Sequence, residues 1–129
     1  MAAAPLVFLV EDEAMIRDVL SEELNDAGFE VVVAGDGTEA MAELDAGAAR
    51  FRAVITDIRL GRGPDGWDVS RRAREHVPDM PIVYTSGDSM QAWSARGVPH
   101  SIMVPKPYVP AQVITAISML LNGTDGHSI

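Results

Sequence analysis

The sequence predicts an α/β fold in which a five-stranded parallel sheet lies between two layers of helices. Three observations lead to it. Five short apolar runs alternate with five segments whose apolar residues recur at helical spacing. Short linkers join them, which favours βαβ units and a doubly wound sheet. Polar side chains follow four of the runs, and ligands of such sheets bind at the carboxyl ends of the strands.

The strands are predicted from runs rich in Val, Ile and Leu. The run at 53–58 is apolar and β-branched, which is typical of a buried parallel strand, yet it carries one carboxylate, Asp57. The second run alternates less regularly and is expected to be partly exposed. The five predicted strands cover 5–10, 29–34, 51–56, 82–84 and 101–104.

The helices are predicted from apolar spacing and from the residues at their ends. Gly28 is expected to end the first helix, and either Asp36 or Thr38 is expected to cap the second. The fourth helix has few apolar anchors and should be the least stable element. The five predicted helices cover about 14–27, 38–46, 67–76, 90–96 and 111–121, and a loose tail is expected at 123–129.

Length, charge and composition narrow the class of protein. Its 129 residues suit one domain over 1–129, with a core at about 5–122. A net charge of −9 disfavours nucleic-acid binding, which needs clustered basic residues. No apolar run is long enough to span a membrane, and the sequence contains no cysteine. The start, Met-Ala-Ala-Ala-Pro, lacks a charged n-region, so we do not expect it to act as a secretion signal. We therefore expect a soluble, cytoplasmic protein.

Polar side chains at the strand ends are expected to meet at one edge of the sheet. Glu11 and Asp12 follow the first strand, and Asp57 ends the third. Ser86 follows the fourth strand, and Lys106, the only lysine, follows the fifth. Two carboxylates about 4 Å apart repel each other by about 4 kcal/mol at an effective dielectric near 20. A cation is therefore expected among them, and Mg²⁺ suits these oxygen ligands.

Such a site can hold a phosphoryl group. A carboxylate is a competent nucleophile towards phosphorus and gives an acyl phosphate. Metal ion, ammonium and hydroxyl groups can then meet the phosphoryl oxygens. The sequence therefore predicts phosphoryl chemistry at Asp57.

Four motifs in the same order resemble those of the receiver domains of two-component response regulators, here of the single-domain type. They are Val-Glu-Asp-Glu at 10–13, Ile-Thr-Asp-Ile at 55–58, Pro-Ile-Val-Tyr-Thr-Ser-Gly at 81–87 and Pro-Lys-Pro-Tyr at 105–108. The resemblance covers about 5–122. It implies a flavodoxin-like, three-layer sheet with strand order 2-1-3-4-5 and five helices.

The resemblance also implies a role for each residue of the acidic site. Asp57 corresponds to the phosphoacceptor, and Glu11 and Asp12 correspond to the acidic pair around Mg²⁺. The backbone carbonyl of Arg59 falls where the family places a metal ligand. The loop from Asp57 to Gly66 is one residue longer than is usual, which affects the geometry beside the site.

The resemblance places the switch on the other side of the site. Ser86 falls at the switch hydroxyl, with Thr85 as the rival by one position, and Lys106 resembles the phosphate-contacting lysine. Met103 stands where the family commonly has a Tyr or Phe that reports the switch. We therefore expect the signal to leave through the surface at 88–104 and the last helix, with Trp93 as its reporter.

The function implied is a phosphorylation-dependent switch rather than an enzyme. Its donor would be a phosphohistidine on a sensor histidine kinase or a histidine phosphotransfer protein, and its target an unknown downstream protein. Neither nucleic acid nor membrane is an expected partner, and a homodimer through 88–121 is a further expectation.

Two other functions remain open at this stage. A phosphatase or phosphotransferase could use an aspartyl-phosphate, but Asp57-Ile58-Arg59 lacks a second acid to serve as general acid. A flavodoxin-like cofactor binder would need a phosphate loop after the first strand, where three acids would repel a phosphate.

Overall fold

The computed structural model describes residues 4–88 and 90–124, in which five strands alternate with five α-helices. The strands are β1 (Leu6–Val10), β2 (Glu30–Ala34), β3 (Ala53–Asp57), β4 (Ile82–Ser86) and β5 (Ser101–Pro105). The helices are α1 (Ala14–Asp26), α2 (Gly37–Gly47), α3 (Gly66–His76), α4 (Met90–Arg96) and α5 (Pro110–Thr124), and a 3-10 turn at Ala48–Arg50 follows α2.

The strands form one sheet in the order β2-β1-β3-β4-β5, and every neighbouring pair is parallel. This confirms the predicted order 2-1-3-4-5. Asp57 lies opposite Thr85 in the register of β3 and β4, and Ser86 lies opposite Pro105 in that of β4 and β5. The carboxyl ends of these strands therefore bring their polar residues to the same edge of the sheet.

Apolar layers cover both faces of the sheet, because alternate strand residues point to opposite sides. One layer lies under α2 and α3 and holds the buried aromatic residues, including Phe8 and Phe51, whose ring centroids are 4.7 Å apart. The other lies under α1 and α5 and is mainly aliphatic, with Leu24 and Ile117 fully buried. Strand β2 is partly exposed, as predicted.

The ends of the helices follow from specific residues. Asp36, rather than Thr38, caps α2, since its carboxylate accepts a hydrogen bond from the N–H of Glu39 at 2.8 Å. Gly28 follows α1 at φ +102°, as expected for a residue that ends a helix. A reciprocal pair of hydrogen bonds between Asp65 and Asp68 caps α3.

Three predicted boundaries are wrong by two residues or more. Strand β3 begins at Ala53 and not at Phe51. Strand β4 does not end at Tyr84 but continues through Ser86. Helix α5 runs past Asn122 to Thr124, so the start of the predicted loose tail is helical. Residues 125–129 of that tail lie outside the described residues. Within the described part of the chain, no helix is both long and apolar enough to cross a membrane.

Candidate functional site

Three carboxylates gather at the carboxyl edge of the sheet. Glu11 follows β1 and is 1% exposed, Asp57 ends β3 and is 5% exposed, and Asp12 is exposed. One oxygen of each carboxylate lies within 4.8 Å of the others. A cavity of about 310 Å³ opens here and is lined by Asp12, Glu13, Asp57, Arg59, Ser86, Gly87, Asp88 and Lys106.

Lys106 enters this cluster from the end of β5. Its ammonium donates a hydrogen bond of 2.7 Å to Oδ2 of Asp57 and lies 3.8 Å from Oε1 of Glu11. The backbone N–H of Lys106 donates to the carbonyl of Ser86 at 2.8 Å, which fixes the base of the side chain beside β4. One ammonium thus faces three carboxylates.

The pKa values record this imbalance of charge. Burial, followed by the charge of Asp57, raises the pKa of Glu11 to about 7. Burial also raises the pKa of Asp57, although its hydrogen bond to Lys106 opposes the shift. Burial alone would lower the pKa of Lys106, but its hydrogen bond to Asp57 and the nearby carboxylates raise it. The cluster is therefore short of positive charge, and its oxygen donors suit a hard divalent cation.

Backbone contacts hold the carboxylates in place. Oε2 of Glu11 accepts a hydrogen bond of 3.1 Å from the N–H of Glu13. The N–H of Ile58 donates to the carbonyl of Thr85 at 3.1 Å, which ties the end of β3 to β4. Gly66 lies so close to Asp57 that a Cβ atom there would be 2.2 Å from the carbonyl oxygen of Asp57. The position of Asp57 is therefore set by a closely packed backbone.

Of the two candidate hydroxyls, Ser86 is the one that lines the cavity. Its Oγ accepts a hydrogen bond from the N–H of Asp88 at 3.2 Å and lies 3.5 Å from Oδ1 of Asp88. Thr85 is 1% exposed and is not among the residues that line the cavity. The geometry therefore favours Ser86 over Thr85 as the hydroxyl beside Asp57.

This combination of fold and acidic site matches a known family. The family model of the response regulator receiver domain matches residues 7–118. The chain belongs to this family. A response regulator receiver protein from Sinorhizobium medicae WSM419 has a crystal structure with a TM-score of 0.88 and 47% sequence identity, covering 92% of this chain and 95% of that one.

Curated relatives of this receiver domain are longer. Sensory transduction protein RegX3 of Mycolicibacterium smegmatis is 36% identical over 123 residues, which are 92% of this chain and 52% of that protein. C4-dicarboxylate transport transcriptional regulatory protein DctD of Rhizobium meliloti is 39% identical over 87 residues, 67% of this chain and 18% of that protein. The match thus spans about half the length of RegX3 and a smaller share of the length of DctD.

The receiver also contains an ion pair that the sequence did not predict. The guanidinium of Arg59 donates to Asp88 through Nε at 3.2 Å and through Nη2 at 2.5 Å. Sequence reasoning gave Arg59 a role only through its backbone carbonyl, and that role stays a prediction. The sequence did contain one indication of this pair. Arg59 follows Asp57 by two residues, and the oppositely charged Asp88 follows Ser86 by two residues.

The residues predicted to carry the signal, Met103 and Trp93, pack in the same apolar layer of the core. Met103 is buried on β5, where it pairs in register with Tyr84 of β4. Trp93 of α4 is half-buried, and its indole N–H donates to Oγ of Ser101 at 2.9 Å. Their roles in switching stay predictions.

Tyr84 is a buried residue that the sequence analysis did not single out. Its hydroxyl donates to Oγ of Ser70 at 2.6 Å and accepts from the N–H of Val98 at 3.0 Å. Its ring centroid lies 4.9 Å from that of Trp67. The side chain thus joins α3 to the segment that follows α4. The available signal was a tyrosine directly after the two apolar, β-branched residues that begin β4.

Proposed function

We propose that this receiver accepts a phosphoryl group on Asp57 and, once phosphorylated, changes the surface around α4 to control a partner protein. The observation that carries this is the 2.7 Å contact between Asp57 and Lys106 inside a buried carboxylate cluster. A carboxylate in this setting is exposed to the cavity and is already paired with a cation that can meet phosphoryl oxygens.

The phosphoryl donor in this proposal is a phosphohistidine of a sensor histidine kinase or of a histidine phosphotransfer protein. Receiver domains interact with proteins of these two kinds. An oxygen of Asp57 forms a bond to phosphorus while the bond from phosphorus to the donor's imidazole nitrogen breaks. The electron pair of that bond leaves with the imidazole. Among the described residues, none that lines the cavity containing Asp57 is a histidine, which fits a donor imidazole supplied by the partner.

The proposed metal is Mg²⁺, held by the carboxylates of Glu11, Asp12 and Asp57 and by the carbonyl of Arg59. Receiver domains bind a divalent metal at the acidic pocket, and the donor set here consists of oxygens with excess negative charge. The metal would neutralise charge on the phosphoryl oxygens. In a titration, Asp12→Asn is expected to weaken Mg²⁺ binding about tenfold or more. Asp18→Asn, an exposed change on α1, is the matched control and should leave the affinity unchanged.

Lys106 and Ser86 would respond to the new charge. A phosphoryl group adds roughly −1.5 to −2 charge and strong acceptor oxygens. The ammonium of Lys106 would pair with these oxygens, and the hydroxyl of Ser86 would move towards them. Lys106→Ala is therefore expected to accept phosphate poorly and to fail to switch. A full wild-type conformational change in that variant would argue against this role.

An apolar groove of about 560 Å³ beside the site suits the phosphoryl-donating protein. Lys106 lines both this groove and the acidic cavity, so a protein seated in the groove would be next to Asp57. Two apolar side chains of α1 stand exposed there, Met15 at 82% and Val19 at 54%. The groove is lined by Met15, Ile16, Val19, Leu20, Lys106, Pro107, Tyr108 and Pro110.

The groove can be tested separately from the chemistry. A panel of purified histidine kinases first identifies the kinase that phosphorylates the wild type fastest. Its transfer rate to the Met15→Glu variant should be about tenfold or more lower than its rate to the wild type. Phosphorylation by acetyl phosphate should not change. Met119→Glu changes another exposed methionine, at 61% on α5; it is the matched control and should keep both rates. Equal loss in both variants would remove the groove from the proposal.

The central test is the site of phosphorylation. With acetyl phosphate and Mg²⁺, intact-mass measurement should show one phosphoryl group on the wild type and on Asp18→Asn, and none on Asp57→Asn. An acyl phosphate formed by Asp57→Asn in wild-type yield would place the nucleophile elsewhere. The phosphatase alternative is not favoured, because the receiver family is a signalling family. A cytoplasmic location and a homodimer through 88–121 stay predictions.

A further inference from the structure

We propose that the phosphoryl group on Asp57 competes with Asp88 for the guanidinium of Arg59, and that losing Arg59 frees the chain that leads into α4. This inference rests on the proposed phosphorylation of Asp57 and concerns how that event is transmitted. It assigns Arg59 a side-chain role as a positioning residue.

The first support is the place of the pair. Arg59 is the second residue of the loop after β3, and Asp88 lies in the segment after β4, so the ion pair bridges the ends of the two strands that carry Asp57 and Ser86. Both side chains line the 310 Å³ cavity together with Asp57. The pair therefore stands at the mouth of the cavity into which a phosphoryl group would be delivered.

The second support is the charge that Arg59 experiences. Its hydrogen bond to Asp88 and the charge of Asp88 raise its pKa, and the charge of Asp57 adds to this. Arg59 and the phosphoacceptor also line the same cavity. A phosphoryl group carries more negative charge than a carboxylate and offers the paired oxygens that a guanidinium binds in bidentate fashion.

The third support is that the present pair is easy to exchange. The side chains of Arg59 and Asp88 are 77% and 53% exposed, and exposed ion pairs contribute little to stability. Arg59 can therefore change partner without unfolding its surroundings. Lys106, by contrast, is only 22% exposed and already contacts Asp57, so phosphorylation strengthens a contact that exists.

Asp88 also connects the exchange to the Ser86 hydroxyl. Its N–H donates to Oγ of Ser86, and its Oδ1 lies 3.5 Å from the same oxygen. Asp88 therefore contacts two groups that face the phosphoryl position, Arg59 and Ser86. When both turn to the phosphoryl oxygens, Asp88 loses these side-chain contacts at a point two residues before α4 begins at Met90.

The experiment is a double-mutant cycle on the affinity for beryllofluoride, a phosphoryl mimic, with Mg²⁺ present and with tryptophan fluorescence as the signal. Asp88→Asn should raise the affinity about threefold to fivefold, because Arg59 no longer has a competing partner. Arg59→Gln should lower the affinity by a similar factor. In the Arg59→Gln background, Asp88→Asn should change the affinity by less than about twofold.

A control separates competition from simple loss of negative charge. Glu13→Gln removes another carboxylate that lines the cavity, and its effect should be the same with and without Arg59. If Asp88→Asn raises the affinity equally in both backgrounds, the effect is one of net charge and the proposal is wrong.

Release of α4 needs its own readout. In Asp88→Asn without the mimic, hydrogen exchange of the α4 amides should already be faster than in the wild type. Unchanged exchange there would overturn the link to α4. If the wild type fails to bind the mimic, or if Asp57→Asn binds it equally well, the fault lies instead with the proposed function.

Discussion

The chain leaves the site in two places, after Asp57 and after Ser86, and the two segments are held in different ways. The β3–α3 loop, residues 58–65, is anchored by buried apolar side chains, with Ile58 at 4% and Leu60 at 2% exposure. It ends at Gly66, whose N–H donates to the carbonyl of Ile58 at 2.8 Å. The helix that follows, α3, has a reciprocal cap and buries Trp67.

The α4 segment, residues 90–100, is anchored less deeply where its side chains are described. Helix α4 has seven residues, and no side chain that is described between 92 and 100 is buried. Ala92, Trp93 and Val98 pack against the core but are only partly buried. Polar contacts add to this packing: the indole of Trp93 donates to Ser101, the hydroxyl of Ser101 to the carbonyl of Val98, and the N–H of Val98 to Tyr84. The phosphoacceptor is thus fixed by deep packing, whereas the segment expected to respond is held by partly buried side chains and a few polar contacts.

The largest expected effect is a loss of stability from a change at the end of the β3–α3 loop, the segment that is fixed by packing. Gly66→Ala would place a Cβ atom 2.2 Å from the carbonyl oxygen of Asp57, and we expect a loss of about 3 kcal/mol or more in the free energy of unfolding. The matched change Gly87→Ala meets no atom within 4 Å and should alter stability by less than about 1 kcal/mol. Urea denaturation measures both, and equal losses would mean that the two segments are equally constrained.

A second prediction concerns the acidic side of the site without metal. The folded protein holds the pKa of Glu11 at about 7, above its ordinary value of 4.5, so the folded protein binds more protons than the unfolded chain between these pH values. The free energy of unfolding in EDTA should therefore fall as the pH rises from about 4.5 to 7, by on the order of 2 kcal/mol. Glu11→Gln should flatten this fall, whereas Ser86→Ala should keep it. A slope that survives Glu11→Gln would assign it to another group.

A smaller effect is expected from the polar ties of the α4 segment. Tyr84→Phe removes the hydroxyl that joins Ser70 to Val98 and should cost about 1–2 kcal/mol. Amide exchange should rise at 90–100 and stay unchanged at 58–65. Tyr108→Phe is the matched control, since within the described residues the buried hydroxyl of Tyr108 has no hydrogen-bond partner. Its loss should cost nothing, and equal costs for the two variants would contradict the role given to Tyr84.

The sequence was sufficient to predict those site residues whose positions are determined by regular secondary structure. Parallel strands put their carboxyl ends at one edge of the sheet, so the grouping of Glu11, Asp57 and Lys106 followed from strand order alone. The pair of Arg59 and Asp88 did not, because it depends on the path of two loops 29 residues apart in sequence. Loop paths are determined by tertiary contacts that no local pattern records.

The end of α5 shows a second limit. Asn122 and Gly123 resemble a helix stop, yet the helix continues to Thr124. Val113 and Ile117 anchor α5 with no exposed surface, and this packing outweighs the weak preference of one glycine for a helix end. The sequence pattern therefore predicted helix α5 correctly but predicted the position of its last turn incorrectly.

The most direct measurement is hydrogen exchange of the wild type before and after phosphorylation by acetyl phosphate with Mg²⁺, with Asp57→Asn treated in the same way. The expected change is concentrated at 88–104, with the β3–α3 loop at 58–65 unaltered and no change anywhere in Asp57→Asn. The account would be contradicted if the response appeared in the β3–α3 loop while α4 stayed as protected as before, or if Asp57→Asn responded like the wild type.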